Sequence, residues 1–270
     1  MSDFFELFTY TFVIRAFVVG IMVSLCAAVL GVTLVLKKYS MIGDGLSHVG
    51  FGAVSVALAL NITPMYIAVP VMFLSAFLLL RMRENKRGDA LIAVISSSSI
   101  AVGVTAAALS GGMSTDVYSY MFGSILAVTR LEVILASVLC ITVLITFILC
   151  YNRIFAFTFD ESFASASGIK TRVLSILLAM LTAVTVVIGM RVMGAMLISG
   201  LIVFPAVSAM RLFKSFKGVI ISAGVIAVTA VTAGIVMSCL FTYIPAGAGI
   251  VLANLVILII SSVLAKILKR

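Results

Sequence analysis

The sequence predicts an all-α, polytopic integral membrane protein that forms a single transmembrane domain over residues 1–270. The chain is 64% hydrophobic and 10% charged, with a mean hydropathy of +1.36. A typical soluble domain carries about 25% charged residues, so this composition excludes the soluble classes. Long stretches without charge alternate with short charged segments, and a membrane-spanning helix needs about 20 apolar residues. The number and length of these uncharged stretches predict about nine transmembrane helices, with a range of eight to nine.

The charge-free stretches place the spans in chain order. A stretch of about 20 residues predicts one span, and a stretch of about 40 or more predicts two. Single spans are predicted within residues 16–36, 90–115, 133–152, 173–190 and 192–210. Two spans are predicted within residues 39–80, with a turn near 61–64, and two more within 218–265, with a turn at 243–247.

The basic residues predict which side of the membrane each loop faces. If the N-terminus lies outside, the inner face receives fifteen Lys and Arg residues and the outer face receives three. The outer residues are Arg15, Arg130 and Arg191, and the inner ones are Lys37, Lys38, Arg81, Arg83, Lys86, Arg87, Arg153, Lys170, Arg172, Arg211, Lys214, Lys217, Lys266, Lys269 and Arg270. This asymmetry follows the positive-inside rule and predicts a cytoplasmic C-terminus in a cell membrane. Since the basic residues are dispersed over short loops, the net charge of +9 predicts a lipid partner and no nucleic acid.

The segment 117–129 departs from the alternation of spans and loops. It is apolar, but at 13 residues it is too short to cross a bilayer. We expect an interfacial or re-entrant helix at the outer face, with Tyr118 and Tyr120 near the lipid headgroups. A surface lid and a role in gating are both compatible with this pattern.

The segment 152–171 is the longest polar segment of the predicted inner face. Thr158 is predicted to cap a short amphipathic helix, with Asp160 and Glu161 in its first turn. Gly168 is predicted to end this helix in the left-handed conformation. Its 20 residues are long for an unstructured connection, so a docking surface for a soluble partner is favoured over a plain loop.

Asp44 and His48 are the candidate functional residues. His48 is the only histidine of the chain, and Asp44 is the only acid between Glu6 and Glu84. One helical turn separates the two residues, so both lie on one face of a span. A charged Asp in mid-bilayer costs about 2.5–3.5 kcal/mol, which the binding of a passing metal cation would offset. Oxygen and imidazole nitrogen suit Zn²⁺ or Mn²⁺, and a symmetric dimer would supply two Asp and two His, a tetrahedral set for zinc.

Purely structural roles stay open for both residues. Asp44 could pair with Lys37, Lys38 or His48 and only orient the helix end, and His48 could be a hydrogen-bonded packing residue. Metal contact is favoured, because ionisable residues inside a membrane are functional by default.

Four segments together resemble the ABC-type zinc, manganese and iron uptake permeases, the membrane subunits of cluster-9 metal importers. They are MIGDGLSHVGFGAVSVAL (41–58), DVYSYMFGSILAV (116–128), FDESFASASGI (159–169) and VMGAMLISGLIVFPAVSA (192–209). One departure is Gly45, where alanine is common in the family. The resemblance implies a type II-like ABC importer permease fold with a cytoplasmic coupling helix.

The resemblance also implies partners and site residues. The partners are a second copy of this chain, two copies of a cytoplasmic ATPase and an extracytoplasmic metal-binding protein that delivers the ion. Asp44 and His48 are expected to contact the metal in the translocation path. The coupling segment, seated in a groove of the ATPase, is expected to include Phe159, Asp160, Glu161, Phe163 and Gly168.

The expected function is ATP-driven import of a divalent transition-metal ion by alternating access, with zinc favoured over manganese and iron(II). The chain has no G-x-x-x-x-G-K-[ST] phosphate loop, so ATP hydrolysis is expected from a partner chain rather than from this one. No permanently bound cofactor is expected, since the metal is the cargo. A stand-alone transporter or channel is disfavoured, because no other acid lies within a predicted span. An intramembrane hydrolase is disfavoured because H-E-x-x-H and G-x-S-x-G motifs are absent.

Overall fold

The computed structural model describes residues 10–83, 88–112, 115–124, 128–241 and 243–267. The regular secondary structure of these ranges is α-helical. The helices are α1 (Thr11–Leu36), α2 (Ser40–Ala59), α3 (Pro64–Arg83), α4 (Gly88–Leu109), α5 (Thr115–Phe122), α6 (Arg130–Leu149), α7 (Tyr151–Phe159), α8 (Glu161–Ala166), α9 (Thr171–Met193), α10 (Ala195–Leu212), α11 (Phe216–Leu240) and α12 (Ala246–Ile267).

Among the described residues, nine helices are long and apolar enough to cross a membrane. They are α1–α4, α6 and α9–α12, so the predicted number of spans is confirmed. The stretch 39–80 covers α2 and most of α3, and the stretch 218–265 covers most of α11 and α12, so each contains two helices as the charge pattern predicts. The predicted turns near 61–64 and 243–247 separate the two helices of each pair.

Helices α1 and α2 form the centre of the bundle. In each, 72% of the most apolar window is buried inside the protein, against 22% in α3, α4 and α12. The peripheral helices expose large apolar side chains, such as Leu74, Val94 and Leu255. Lipid rather than protein covers such a surface in a membrane protein, so the exposure is expected for helices at the outside of a bundle.

The central helices approach their neighbours at glycine residues. A methyl group at Gly31 of α1 would collide with the carbonyl oxygen of Ile202 in α10. A methyl group at Gly52 of α2 would lie 2.7 Å from the carbonyl oxygen of Ser99 in α4. Backbones can approach this closely only where no side chain intervenes, so these contacts hold α1 against α10 and α2 against α4.

The short helix predicted within 117–129 is confirmed, and it spans Thr115–Phe122. Val117, Tyr120 and Met121 are buried, whereas Tyr118 is exposed, so only Tyr118 faces the surroundings as predicted. Helix α5 ends against Gly194, whose φ of +85° separates α9 from α10. A methyl group at Gly194 would collide with the Met121 carbonyl oxygen, so glycine is required by both conformation and space. Residues 125–127 of the predicted segment lie outside the described residues.

The segment 152–171 contains two short helices rather than one, because Asp160 separates α7 from α8. The Asp160 carboxylate accepts a hydrogen bond from the Phe163 N–H at 2.8 Å and caps α8. The prediction that Thr158 is the cap is wrong. Its hydroxyl donates to the Ile154 carbonyl inside α7, a bond that a threonine within a helix readily forms. Gly168 has a φ of +81° and follows α8, as predicted.

Gly194→Ala is expected to destabilise the protein more than Gly112→Ala. Both glycines have positive φ, +85° and +104°, so alanine strains the backbone at each by about 1–3 kcal/mol. Only the methyl group at Gly194 also meets backbone atoms, since no atom of the described residues lies within 4 Å of one at Gly112. Melting temperatures of the purified variants in detergent measure the difference. Equal shifts would contradict the close packing of α5 against the junction of α9 and α10.

Candidate metal site and coupling segment

Asp44 and His48 lie in the second and third turns of α2, on one face of the helix as predicted. The His48 Nε2 atom lies 3.6 Å from Asp44 Oδ2, which is longer than a hydrogen bond. The His48 side chain is 18% exposed and the Asp44 side chain 41%. The two groups therefore face each other across a gap, and the carboxylate remains accessible from outside the chain.

The residues between and beside them hold α2 in place. Gly45 faces Ile92 of α4, and Gly43 faces Ile202 of α10, with a methyl group at either position within 3.3 Å of that side chain. The Ser47 hydroxyl donates to the Gly43 carbonyl at 2.8 Å and so presents no free donor. Two faces of α2 are thus occupied by packing, and the face with Asp44 and His48 is left for polar contacts.

The His48 imidazole is incompletely hydrogen-bonded. Its Nδ1 atom is buried and has no hydrogen-bond partner among the described residues. Leaving a buried polar atom unpaired costs about 1–3 kcal/mol, so such atoms are rare in native structures. The interpretation of His48 as a hydrogen-bonded packing residue is therefore not supported, whereas a free imidazole nitrogen suits a residue that binds an ion.

Lys37 does not pair with Asp44. Its ammonium group contacts the Glu161 carboxylate at 2.5 Å instead. The alternative in which Asp44 only orients the helix end through Lys37 is therefore not supported. Ser199 of α10 is close enough for its hydroxyl to interact with the Asp44 carboxylate.

Within the described part of one chain, acidic, histidine and cysteine side chains do not complete a metal site. Among the described residues, no group of three or more of these side chains could hold an ion together. Asp44 and His48 thus provide one carboxylate and one imidazole, with the Ser199 hydroxyl beside them. A four-coordinate zinc ion bound by Asp44 and His48 would need further ligands besides these two side chains.

The predicted coupling segment presents aromatic side chains at its surface. Phe159 is 60% exposed and Phe163 63%, on either side of the Asp160 cap. Phe159 also packs edge-on against Phe216, with ring centroids 5.9 Å apart, which ties α7 to the start of α11. Exposed aromatic residues at a helix junction are typical of a protein-binding surface rather than of a plain connection.

Two residues of this region were not indicated by the sequence. Ser199 is one of many small polar residues in the spans. In the sequence, Lys37 indicates only topology and a possible pairing with Asp44, not a contact with Glu161. Both become notable through contacts with residues far away in the chain, since Lys37 and Glu161 are 124 positions apart. No local spacing or periodicity signals such pairs.

The chain matches a known family along nearly its whole length. The model of the ABC 3 transport family covers residues 9–265. The chain is 28% identical over 249 residues to the high-affinity zinc uptake system membrane protein ZnuB of Haemophilus influenzae, covering 91% of this chain and 95% of that protein. It is 27% identical over 266 residues to the manganese import system permease protein ScaB of Streptococcus gordonii, covering 97% and 95%.

A solved structure has the same fold. The structure of PsaBC from Streptococcus pneumoniae in complex with Fab superposes on this chain with a TM-score of 0.84 and 25% sequence identity. The match covers 96% of this chain and 94% of the other. The arrangement of α1–α12 is therefore a fold found in a known membrane protein.

Replacing His48 with leucine is expected to leave the metal-free protein at least as stable as the wild type, because it removes an unpaired buried nitrogen. Leu46→Ala is the comparison, since Leu46 is fully buried one residue before Ser47 and its truncation should cost about 2–5 kcal/mol. Melting temperatures in detergent with a chelator present measure both effects. A loss for His48→Leu as large as that for Leu46→Ala would show that His48 is a packing residue.

Proposed function

The chain belongs to the ABC 3 transport family, and we propose that it is the membrane-spanning permease of an ATP-driven importer of zinc. The observation that carries the proposal is the pair of side chains on α2. An accessible carboxylate lies 3.6 Å from an imidazole inside a membrane-spanning helix, and the other imidazole nitrogen has no partner among the described residues. Relatives named for zinc and for manganese support the class of cargo.

We place the ion between two copies of the chain. Each copy contributes Asp44 and His48, so a symmetric pair supplies two carboxylates and two imidazoles. Four ligands of these types form a complete tetrahedral zinc site. Neither copy alone should hold the ion well, and a site that comes apart when the copies move can also release its cargo.

The transport cycle proceeds by alternating access. An extracytoplasmic metal-binding protein delivers the ion from outside, and the ion is held transiently by Asp44 and His48. Two cytoplasmic ATPase subunits dock on the coupling segments, where Phe159 and Phe163 are exposed, with Asp160, Glu161 and Gly168 shaping the surface. Closure of the ATPase pair pushes these segments and reorients the spans. The C-terminus then lies in the cytoplasm, as the distribution of basic residues predicts.

Manganese is the second candidate cargo, and Ser199 is the observation that favours it. Ser199 is near enough to interact with Asp44, and if its hydroxyl bound the ion in both copies the number of donors would exceed four. Manganese prefers oxygen-rich sites of higher coordination than zinc. Iron(II) is the remaining possibility in the family.

Asp44→Ala and His48→Ala are each expected to reduce zinc uptake to background, because each removes two of four ligands in the pair of chains. Uptake of radioactive zinc into cells that express the complete transporter measures the effect. Co-purification of the ATPase should be unchanged, since neither residue contacts the coupling segment. Thr142→Ala is the control, because its exposed hydroxyl bonds only to Val138 of its own helix. Normal zinc uptake by both variants would exclude this site.

A competition assay distinguishes the cargoes. With zinc as cargo, zinc should outcompete Mn²⁺ and Fe²⁺, and Ser199→Ala should change its uptake by about twofold or less, since four ligands remain. With manganese as cargo, Mn²⁺ should be preferred and Ser199→Ala should lower its uptake by about tenfold or more. Preference for Mn²⁺ together with that loss would replace zinc by manganese in the proposal.

A further inference from the structure

Lys37 connects the coupling segment to the helices at the centre of the bundle. Its ammonium group donates to the Glu161 carboxylate at 2.5 Å and to the Phe157 carbonyl oxygen at 3.2 Å. It also lies 4.0 Å from the centroid of the Phe157 ring. These contacts reach both helices of the segment, since Phe157 belongs to α7 and Glu161 to α8.

The ammonium group is held in a nearly closed environment. The Lys37 side chain is only 10% exposed, whereas lysine side chains are normally solvated. The partner carboxylate of Glu161 is 46% exposed, so the pair is enclosed on the Lys37 side only. An ammonium group shielded from water is costly unless it is paired and hydrogen-bonded, and both partners of Lys37 lie in the coupling segment. The Lys37 contacts therefore define where the coupling segment sits relative to α1.

The connection between α1 and α2, called the joint below, consists of residues 37–39 and contains no flexible loop. Lys37 caps the end of α1, and Tyr39 already precedes the first residue of α2. Lys38, between them, has a φ of +59°, and the joint is closed by a hydrogen bond of 2.6 Å from the Tyr39 N–H to the Leu34 carbonyl. A displacement of Lys37 is therefore passed to both helices rather than absorbed by a flexible loop.

Asp44 is close to this joint. It lies four residues into α2 from Ser40, which is about 6 Å along the helix axis. His48 follows one turn later. The same short stretch of chain thus contains the contact with the coupling segment at one end and the candidate metal ligands at the other.

We propose that Lys37 is the positioning residue that passes movement of the coupling segment to the helix with the metal ligands. Transport then depends on the Lys37–Glu161 contact although neither residue binds the metal. This inference rests on the proposed function, because it assumes that an ATPase moves the coupling segment and that Asp44 and His48 hold the cargo.

The test uses the complete transporter in liposomes, with its ATPase and its delivery protein, and zinc as the probe. The readout is the number of zinc ions transported per ATP hydrolysed. Lys37→Gln is expected to lower this ratio by about tenfold while the ATPase stays bound and active. Glu161→Gln should have a similar effect, and combining the two should add little, since both remove one contact. The exchange Lys37→Glu with Glu161→Lys should restore much of the ratio.

Lys38→Gln is the matched control, because it removes the same charge at the next residue. The Lys38 side chain is exposed, and among the described residues it forms no ion pair. Its ratio should equal that of the wild type. A loss of the same size for Lys38→Gln would attribute the effect to net charge at the joint and overturn the proposal.

The remaining outcomes separate this inference from the proposed function. A wild-type ratio for Lys37→Gln overturns the role of Lys37 and leaves the proposed function intact. Loss of the bound ATPase also overturns it, since Lys37 would then serve docking rather than transmission. If Lys37→Gln does not fold, the zinc-to-ATP ratios of Glu161→Gln and of the exchanged pair test the role of the contact instead. Failure of the wild-type transporter to move zinc with ATP would instead refute the proposed function.

Discussion

Direct contact between helix backbones holds this bundle together, and the position of every candidate functional residue depends on it. In a membrane, the hydrophobic effect does not drive helices toward one another, so association depends on packing at small residues. Gly31 and Gly52 let α1 and α2 touch the backbones of α10 and α4. Since α2 packs against α4 at Gly52 and against α10 at Gly43, its remaining face can present polar groups without loosening the fold. The candidate metal site is thus a consequence of how tightly the rest of α2 is packed.

The polar groups on the face of α2 that carries Asp44 and His48 are incompletely paired among the described residues of one chain. His48 retains a buried nitrogen without a partner among the described residues, and Asp44 retains an accessible carboxylate. A protein selected for stability alone would pair or replace such groups, because each costs free energy in an apolar environment. Natural proteins tolerate departures of this kind at functional sites and compensate elsewhere. The incomplete pairing is therefore what a site would show if its ligand set were completed by a second chain and by a passing ion.

Much of the fold and part of the site could be predicted from the sequence, because these features depend on residues close together in the chain. A span is a local property, because it needs only an uncharged stretch of sufficient length, so α1–α4, α6 and α9–α12 follow the charge pattern. The one-turn spacing of Asp44 and His48 is local as well. The prediction that Thr158 is the cap was wrong because Thr158 and Asp160 are both capping residue types and lie two positions apart. Asp160, as an acid, has the stronger interaction with a helix N-terminus. The Lys37–Glu161 and Asp44–Ser199 contacts could not be predicted, because helix packing alone brings such distant positions together.

Metal–ligand bonds are short, so in the proposed cycle a small movement at the connection 37–39 would be enough to release the ion from its ligands. Zinc bonds to nitrogen and oxygen are about 2.0–2.2 Å long, so a displacement of about 1 Å between two half-sites breaks them. In the proposed cycle, a slight shift of α2 relative to a second copy would release the ion, and the larger reorientation of the spans would open its path. A rigid joint transmits so small a displacement better than a flexible one, since a flexible joint could deform by the same distance without moving α2. The left-handed conformation of Lys38 and the closed hydrogen bond at Tyr39 thus have a mechanical consequence: they keep the metal ligands in register with the segment on which the ATPase would act.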